Sequence, residues 1–176
     1  MAILLLRVVI GALIAAHGAQ KLFGVWNGPG WQGHQQMMVR LNVWPVPFWA
    51  AVSALAEFVG GLLIILGFLW PLGPLGLVAS MLMAIVKVHW SKGFWNTKGG
   101  IEFPLTLLTV GVVLGLMGPG PYSVDALIHF GLPEPETFIA GLILVVLGVL
   151  AALNSPALRG LVARNPEPGK ERTDNR

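Results

Sequence analysis

The sequence predicts an all-α fold, a helical bundle that spans a lipid bilayer. Of its 176 residues, 55% are hydrophobic and only 11% are charged, whereas roughly a quarter of the residues of a soluble domain are charged. The apolar residues also occur in runs long enough for helices that cross the bilayer, which takes about 20 residues each. A soluble fold of this length has too little interior to bury so much apolar surface.

Five apolar runs are predicted to be the spanning helices, four forming a core and the fifth added at the C-terminal side. They cover about residues 2–23, 46–69, 72–90, 101–117 and 137–153. The last run is short for a span, but its centre carries no charge, so we count it as spanning. Gly- and Pro-rich turns separate the runs. Residues 154–176 are polar and charged, and they predict a disordered tail that follows the 1–153 bundle.

Basic residues predict the orientation of the bundle. In the five-helix arrangement, ten of the eleven Lys and Arg residues lie on one side, and only Arg7 does not. The positive-inside rule then places the C-terminus in the cytoplasm and the N-terminus outside, with a cytoplasmic tail. Arg7 and His17 interrupt the first run, so we expect no cleaved signal peptide there. The seven tryptophans lie near predicted helix ends, where indole rings anchor at the membrane interface.

Polar residues within apolar runs are the candidate functional residues, because each is costly in hydrocarbon without a partner or a wet cavity. Helical depth predicts that several of them converge near the cytoplasmic mouth, with Glu57 near the midplane and Arg7 as its expected counter-charge. The group at the mouth comprises His17, Lys21, Lys87, His89 and Glu102. Lys21 and Lys87 have the alternative of snorkelling, which we favour for Lys87. Glu102 has the alternative of interacting with the dipole of its helix.

Small residues predict close helix packing around Glu57. Ala50, Ala54, Glu57, Gly60 and Gly61 form one face of the second run. The third run has a comparable face that contains Gly73, Gly76, Ser80 and Ala84. Such faces let helix backbones approach closely in membranes. His34 and His129 are expected in loops and are assigned no role.

Four segments resemble the DoxX family of small membrane proteins. They are RVVIGALIAAHGAQKLFG, AEFVGGLLIILG, VHWSKGFWNTKGGIEFP and GPGPYSVDAL, and the resemblance extends over about residues 3–128. It implies a four-helix bundle in a bacterial or archaeal cell membrane, found in some relatives as a subunit of a thiosulfate:quinone oxidoreductase and in others as a partner of redox-defence proteins. The family pattern carries over to Arg7, His17, Gly18, Lys21, Glu57, His89, Gly93, Phe94, Glu102 and Asp125. The fifth helix and the basic tail depart from that pattern.

The first functional hypothesis is therefore a membrane subunit of a redox system that is linked to quinone. His17, Glu57, His89 and Glu102 are the predicted catalytic residues, and Arg7, Lys21, Gly93 and Phe94 the predicted ligand-binding residues. The sequence has no cysteine, so a thiol pair or a cysteine-ligated iron–sulfur cluster within the chain is excluded and a protein partner would supply electrons. Two histidines are weak evidence for a haem pair, so neither haem nor another metal is expected.

Two other hypotheses stay open. A non-catalytic accessory or assembly subunit of a larger membrane complex needs only the close-packing faces and is nearly as well supported. A pathway for protons or a small solute is suggested by the intramembrane charges, but the chain lacks paired halves with broken helices. All three hypotheses place the chain in contact with lipid and none involves nucleic acid.

Overall fold

A computed structural model describes the backbone of residues 1–164 and the side chains of residues 1–157. The described chain is helical and has no strand, which confirms the predicted all-α class. Its helices are α1 (Ala2–Phe23), α2 (Gly30–Arg40), α3 (Val46–Leu66), α4 (Leu72–Ala84), α5 (Glu102–Met117), α6 (Val124–Leu127) and α7 (Glu136–Arg164). Four segments are long and apolar enough to cross a membrane, namely Ala2–Phe23, Val46–Leu66, Leu72–Lys92 and Glu136–Ala157. The predicted fourth span, α5, is apolar but has only 16 residues.

One helix, α2, occupies a region that the sequence predicted as a loop. Trp31, His34 and Met38 repeat at helical spacing along it, and the last two are buried. Half of its other residues are Gln or Arg, so α2 is too polar to span. It is also too short. It packs on the start of α3, where Met38 contacts Val43 and Ala50 in a small apolar cluster.

At its C-terminal end, α7 runs past the point where the polar tail was predicted to begin. Polar side chains there form hydrogen bonds with backbone groups of α7 and of the segment before α3, so a change in composition does not end the helix. Asn154 donates to the carbonyl of Leu150 at 2.8 Å, and Ser155 accepts a hydrogen bond from the backbone N–H of Trp44 at 2.9 Å. The remainder of the predicted tail, residues 165–176, lies outside the described residues.

Glycines permit a very close approach between α1 and α3. A Cβ atom on Gly11 would lie 2.6 Å from the carbonyl oxygen of Gly61. A Cβ atom on Gly18 would collide with the backbone of Phe58. Because backbone atoms cannot move aside as flexible side chains do, this packing requires glycine at these positions. The α1–α3 contact fixes the rotation of both helices and turns one face of α3, which carries Glu57, into the bundle.

The other helices assemble around α4. α3 meets α4 at Gly60 and Gly73, which confirms the predicted small-residue faces. On its other sides α4 packs against α5 and α7. Trp70, at the turn before α4, is only 2% exposed and belongs to the main apolar core. Interfacial anchoring is therefore the wrong interpretation for this one tryptophan.

Arg7 joins one end of the bundle through its guanidinium group. Nε donates to the carbonyl oxygen of Ile64 at 2.9 Å, and Nη2 donates to that of Ile65 at 2.8 Å. Nη1 donates to the carbonyls of Tyr122, at 3.1 Å, and Pro119. These carbonyls belong to the end of α3 and to the segment that follows α5. The prediction that Arg7 is the counter-charge of Glu57 is thus wrong. Arg7 binds the C-terminal end of α3, away from the residues that surround the Glu57 carboxylate.

Asp125 secures the same end of the bundle. One carboxylate oxygen accepts from the N–H of Leu69 at 3.0 Å, and the other accepts from the N–H of Trp70 at 2.9 Å. Its own N–H donates to the carbonyl of Gly67 at 3.1 Å. A buried side chain from α6 thereby satisfies the backbone groups of the α3–α4 turn.

Candidate functional site

A mostly apolar cavity of about 280 Å³ lies between α2, α3, α4 and α7. Five polar side chains contribute to its wall: Lys21, Ser53, Glu57, Ser80 and Lys87. Met37, Met38, Trp49, Met83 and Val145 are among its apolar lining. Pockets for small molecules commonly have this character, with apolar walls and a few convergent polar groups, and volumes of roughly 300–1,000 Å³. The cavity is therefore the candidate site.

Lys21 and Glu57 form an ion pair at the wall of the cavity. Nζ of Lys21 lies 2.6 Å from Oε1 of Glu57 and also donates to Ser53 at 3.3 Å. The side chain of Glu57 is 6% exposed and that of Lys21 19%. Lys21 therefore does not simply snorkel to the membrane surface. Its ammonium reaches inward along α3 and supplies the charge that the sequence assigned to Arg7.

Two buried polar atoms on the cavity wall have no hydrogen-bond partner among the described residues. They are the second carboxylate oxygen of Glu57, Oε2, and the hydroxyl oxygen of Ser80. A buried polar atom left unpaired costs about 1–3 kcal/mol. These atoms come from two facing helices, α3 and α4, and both side chains line the same space.

Lys87 lies on the cavity wall where α4 changes its geometry. Ile85–His89 form a π-helical turn, a distortion that is frequent at functional sites. Nζ of Lys87 donates to the carbonyl oxygen of Leu41, just after α2, at 3.1 Å. Lys87 thus ties α4 to the segment after α2, a role that snorkelling alone does not describe.

Four other predicted site residues meet in the loop between α4 and α5. Nδ1 of His89 donates to the carbonyl oxygen of Gly99 at 2.6 Å, and Oε2 of Glu102 accepts from the N–H of Asn96 at 2.9 Å. The carbonyl oxygens of Gly93 and Phe94 accept from the N–H groups of Ile101 and Glu102. These bonds shape the loop, and none of the four residues lines the cavity. Their catalytic and ligand-binding roles stay predictions.

The predicted convergence at the mouth is therefore only partial. The structure brings Lys21, Glu57 and Lys87 to one cavity. His17 is exposed on the outer face of α1, and Arg7 lies at the other end of the bundle. Ser80 was noted in the sequence only as a small residue, and nothing in its spacing distinguished it from a packing position.

His34 is a buried histidine that the sequence placed in a loop and gave no role. It is fully buried in α2, and neither ring nitrogen has a hydrogen-bond partner within the described part of the chain. Burial, and after it the charge of Lys21, lower the pKa of His34 from 6.5 to about 4. The ring is therefore neutral in the folded protein at neutral pH, and it packs α2 against the bundle.

Stability is expected to fall as the pH is lowered through the range set by His34. Below pH 6.5 the unfolded chain binds a proton that the folded chain does not bind until about pH 4. The contribution of neutral, buried His34 to the free energy of unfolding is thus fully present above pH 6.5. It is lost between pH 6.5 and 4, a change of roughly 3 kcal/mol. Denaturant unfolding in detergent, measured between pH 7.5 and 4.5, tests this expectation. His34→Leu should flatten the profile, and an equally steep profile in that variant would contradict the assignment.

Helices of this length and apolarity, packed through buried small-residue faces, define a multi-pass integral membrane protein. The profile of the DoxX family matches residues 2–90, and the chain belongs to that family. It is also similar to an uncharacterized membrane protein of Mycobacterium tuberculosis, with 25% identity over 134 residues that cover 70% of this chain and 78% of the relative. No solved structure matches the chain. The family match includes all five polar residues of the cavity wall, whereas the α7 wall lies outside it.

Proposed function

We propose that this DoxX protein is the membrane subunit of a quinone-linked redox system and that the cavity is its quinone site. The observation that supports the proposal is the cavity itself, an apolar space with a charged pair and two unpaired polar atoms on its wall. A quinone combines a flat ring that carries polar oxygens with an apolar tail. The ring requires apolar walls with a few polar groups that bind its oxygens. The tail requires an opening from the cavity to the lipid.

The cavity wall offers such a way out. Val52 lines the cavity and is 41% exposed on the outer surface of α3. Val145 and Val149 line the cavity from α7. A tail that leaves between α3 and α7 would enter the hydrocarbon directly, so a ligand dissolved in the bilayer would reach the site without crossing water.

Within this proposal the residues divide into two groups. Lys21, Glu57 and Ser80 contact and orient the ring of the ligand. His89 and Glu102, in the neighbouring loop, are proposed to carry protons between the cavity region and the membrane surface, since both ionisable groups lie where the loop meets α4 and α5. His17, on the exposed face of α1, has no part in the cavity.

The proposal includes a protein partner as electron donor. Reduction of a bound quinone takes up two electrons and two protons, and the sequence contains neither a cysteine nor a flavin-binding motif to supply the electrons. We also propose that the loop between α4 and α5 faces the cytoplasm, as the distribution of basic residues predicts. The exposed aromatic and basic side chains of that loop would then be accessible to a cytoplasmic partner.

Binding of a short-chain ubiquinone to the purified protein in nanodiscs tests the proposal. Quenching of tryptophan fluorescence provides the signal, because Trp49 lines the cavity, and Trp49→Phe should remove most of it. Gly148→Phe should weaken binding at least tenfold. Gly148 lines the cavity, and a Cβ atom there would meet no atom within 4 Å, so the ring can occupy the space without disturbing the helices.

Leu147→Phe is the matched control, because Leu147 lies on the same helix and is 57% exposed on its outer side. It should leave binding unchanged. Equal quinone binding by wild type and Gly148→Phe would show that the cavity is not the site. If wild type binds no quinone at all, the accessory-subunit hypothesis replaces this one.

A further inference from the structure

We infer that the cavity selects the reduced quinol over the oxidised quinone, and that the free carboxylate oxygen of Glu57 makes the distinction. This inference rests on the proposed function and concerns the redox form of the ligand. Its basis is the pattern of hydrogen-bond donors and acceptors that the cavity wall leaves unused.

The first step is the state of Glu57. An ammonium has three N–H donors and no acceptor, so Oε1 must accept from Lys21 across their 2.6 Å contact. The contact therefore joins an ammonium to a carboxylate as an ion pair. An ionised carboxylate only accepts hydrogen bonds. The buried Oε2 has no hydrogen-bond partner among the described residues, so a donor group of a molecule in the cavity would be its partner.

The second step compares the two forms of the ligand. The oxygens of a quinone are carbonyls, which only accept, so a quinone leaves Oε2 unpaired and places lone pairs against it. The hydroxyl group of a quinol donates. Because hydrogen bonds to charged groups are among the stronger ones in proteins, this difference is expected to favour the quinol by on the order of 10- to 100-fold in affinity.

The other polar groups of the wall accommodate both forms. The Ser80 hydroxyl has no hydrogen-bond partner within the described part of the chain and can donate or accept. Lys21 uses two donors on Glu57 and Ser53, which leaves one N–H for a ligand oxygen. A quinol oxygen satisfies both kinds of neighbour, since it accepts from an ammonium and donates to Oε2. A quinone oxygen can accept from the ammonium or from Ser80, but it cannot donate to Oε2. Glu57 is therefore the residue that discriminates between the two forms, and Ser80 orients either one.

The experiment compares three ligands of nearly the same shape on wild-type protein in nanodiscs under anaerobic conditions. They are a short-chain ubiquinol, the corresponding quinone, and the dimethyl ether of that quinol, which has no O–H donor. The quinol should bind 10- to 100-fold more tightly than the other two. Quinone or ether that binds as tightly as quinol would overturn the inference while leaving the proposed function intact. Absence of binding by all three would reject the proposed function, and the inference with it.

Glu57→Gln provides the second measurement, because the amide has N–H donors where the carboxylate has none. The preference for quinol should fall to near unity or reverse, mainly through tighter quinone binding. Ser80→Ala is the control: it should weaken both forms similarly and leave their ratio unchanged. A Glu57→Gln protein that folds and retains the full wild-type preference would overturn the inference. If that variant does not fold, the comparison of three ligands on wild type still decides.

Discussion

Lys21→Met is expected to destabilise the protein by about 3 kcal/mol, and adding Glu57→Leu to it is expected to restore most of that loss. Removing one partner of a buried ion pair strands the other charge and costs about 3–5 kcal/mol, whereas replacing both by apolar residues is often neutral. We take the lower end because the Lys21 side chain keeps 19% exposure. Denaturant unfolding of the two single variants and the double variant in the same detergent gives the coupling free energy.

Lys87→Met is the matched control for that cycle. Lys87 also lines the cavity, but its hydrogen bond goes to the backbone carbonyl of Leu41 rather than to a carboxylate. Its loss strands no charge, so a cost of about 1 kcal/mol is expected. If the costs of the two single variants simply add in the Lys21→Met/Glu57→Leu protein, the two residues do not act as a pair.

Gly61→Leu is expected to prevent assembly of the bundle, whereas Gly148→Leu is tolerated. Both glycines lie within long apolar helices, so helix propensity and hydrophobicity change equally. They differ in space: a Cβ atom on Gly61 would lie 2.5 Å from the backbone N of Ala15, while one on Gly148 would meet nothing within 4 Å. Overpacking typically costs 1–3 kcal/mol, and more where backbone must move.

Thermal unfolding and the yield of monodisperse protein measure this difference. Gly148→Leu should match wild type within about 1 kcal/mol, helped by the removal of a glycine from a helix. Equal behaviour of the two variants would show that α1 and α3 do not approach as closely as the structure has them.

Packing faces and most helix boundaries followed from the sequence because they depend on local pattern, but α2 and the C-terminal end of α7 did not. The stripe that contains Gly60 and Gly61 predicted the face of α3 that is buried, and hydropathy predicted the bounds of α1, α3 and α5 within a few residues. The ion pair of Glu57 with Lys21 did not follow from the sequence. Depth along a helix placed Lys21 toward the mouth and Glu57 near the midplane, but a lysine has a long stem and can reach a turn deeper. The sequence did not show whether Arg7 or Lys21 pairs with Glu57. That depends on the backbone carbonyls at the other end of the bundle, to which Arg7 donates.

The cavity itself could not be predicted from local pattern. α2 contributes to it although its polar residues resemble a loop. α7 contributes Val145, Gly148, Val149 and Ala152, which lie on one helix face, but in a helix that is apolar on all sides this spacing does not distinguish a cavity wall from a packing face. Ser80 differs from a packing serine only in lacking a hydrogen-bond partner, which is a property of the assembled structure. The burial of both ring nitrogens of His34 likewise could not be predicted, because it arises only when α2 packs against the bundle.

The position of α7 has a consequence for relatives that have only the four-helix core. α7 supplies the wall of the cavity formed by Val145, Gly148, Val149 and Ala152. Without that wall, the Glu57 carboxylate and the Ser80 hydroxyl would be left beside acyl chains, which offer them no hydrogen bonds. A four-helix relative with the same polar residues therefore needs another chain to cover them. In this protein the helix that supplies this wall is part of the chain itself.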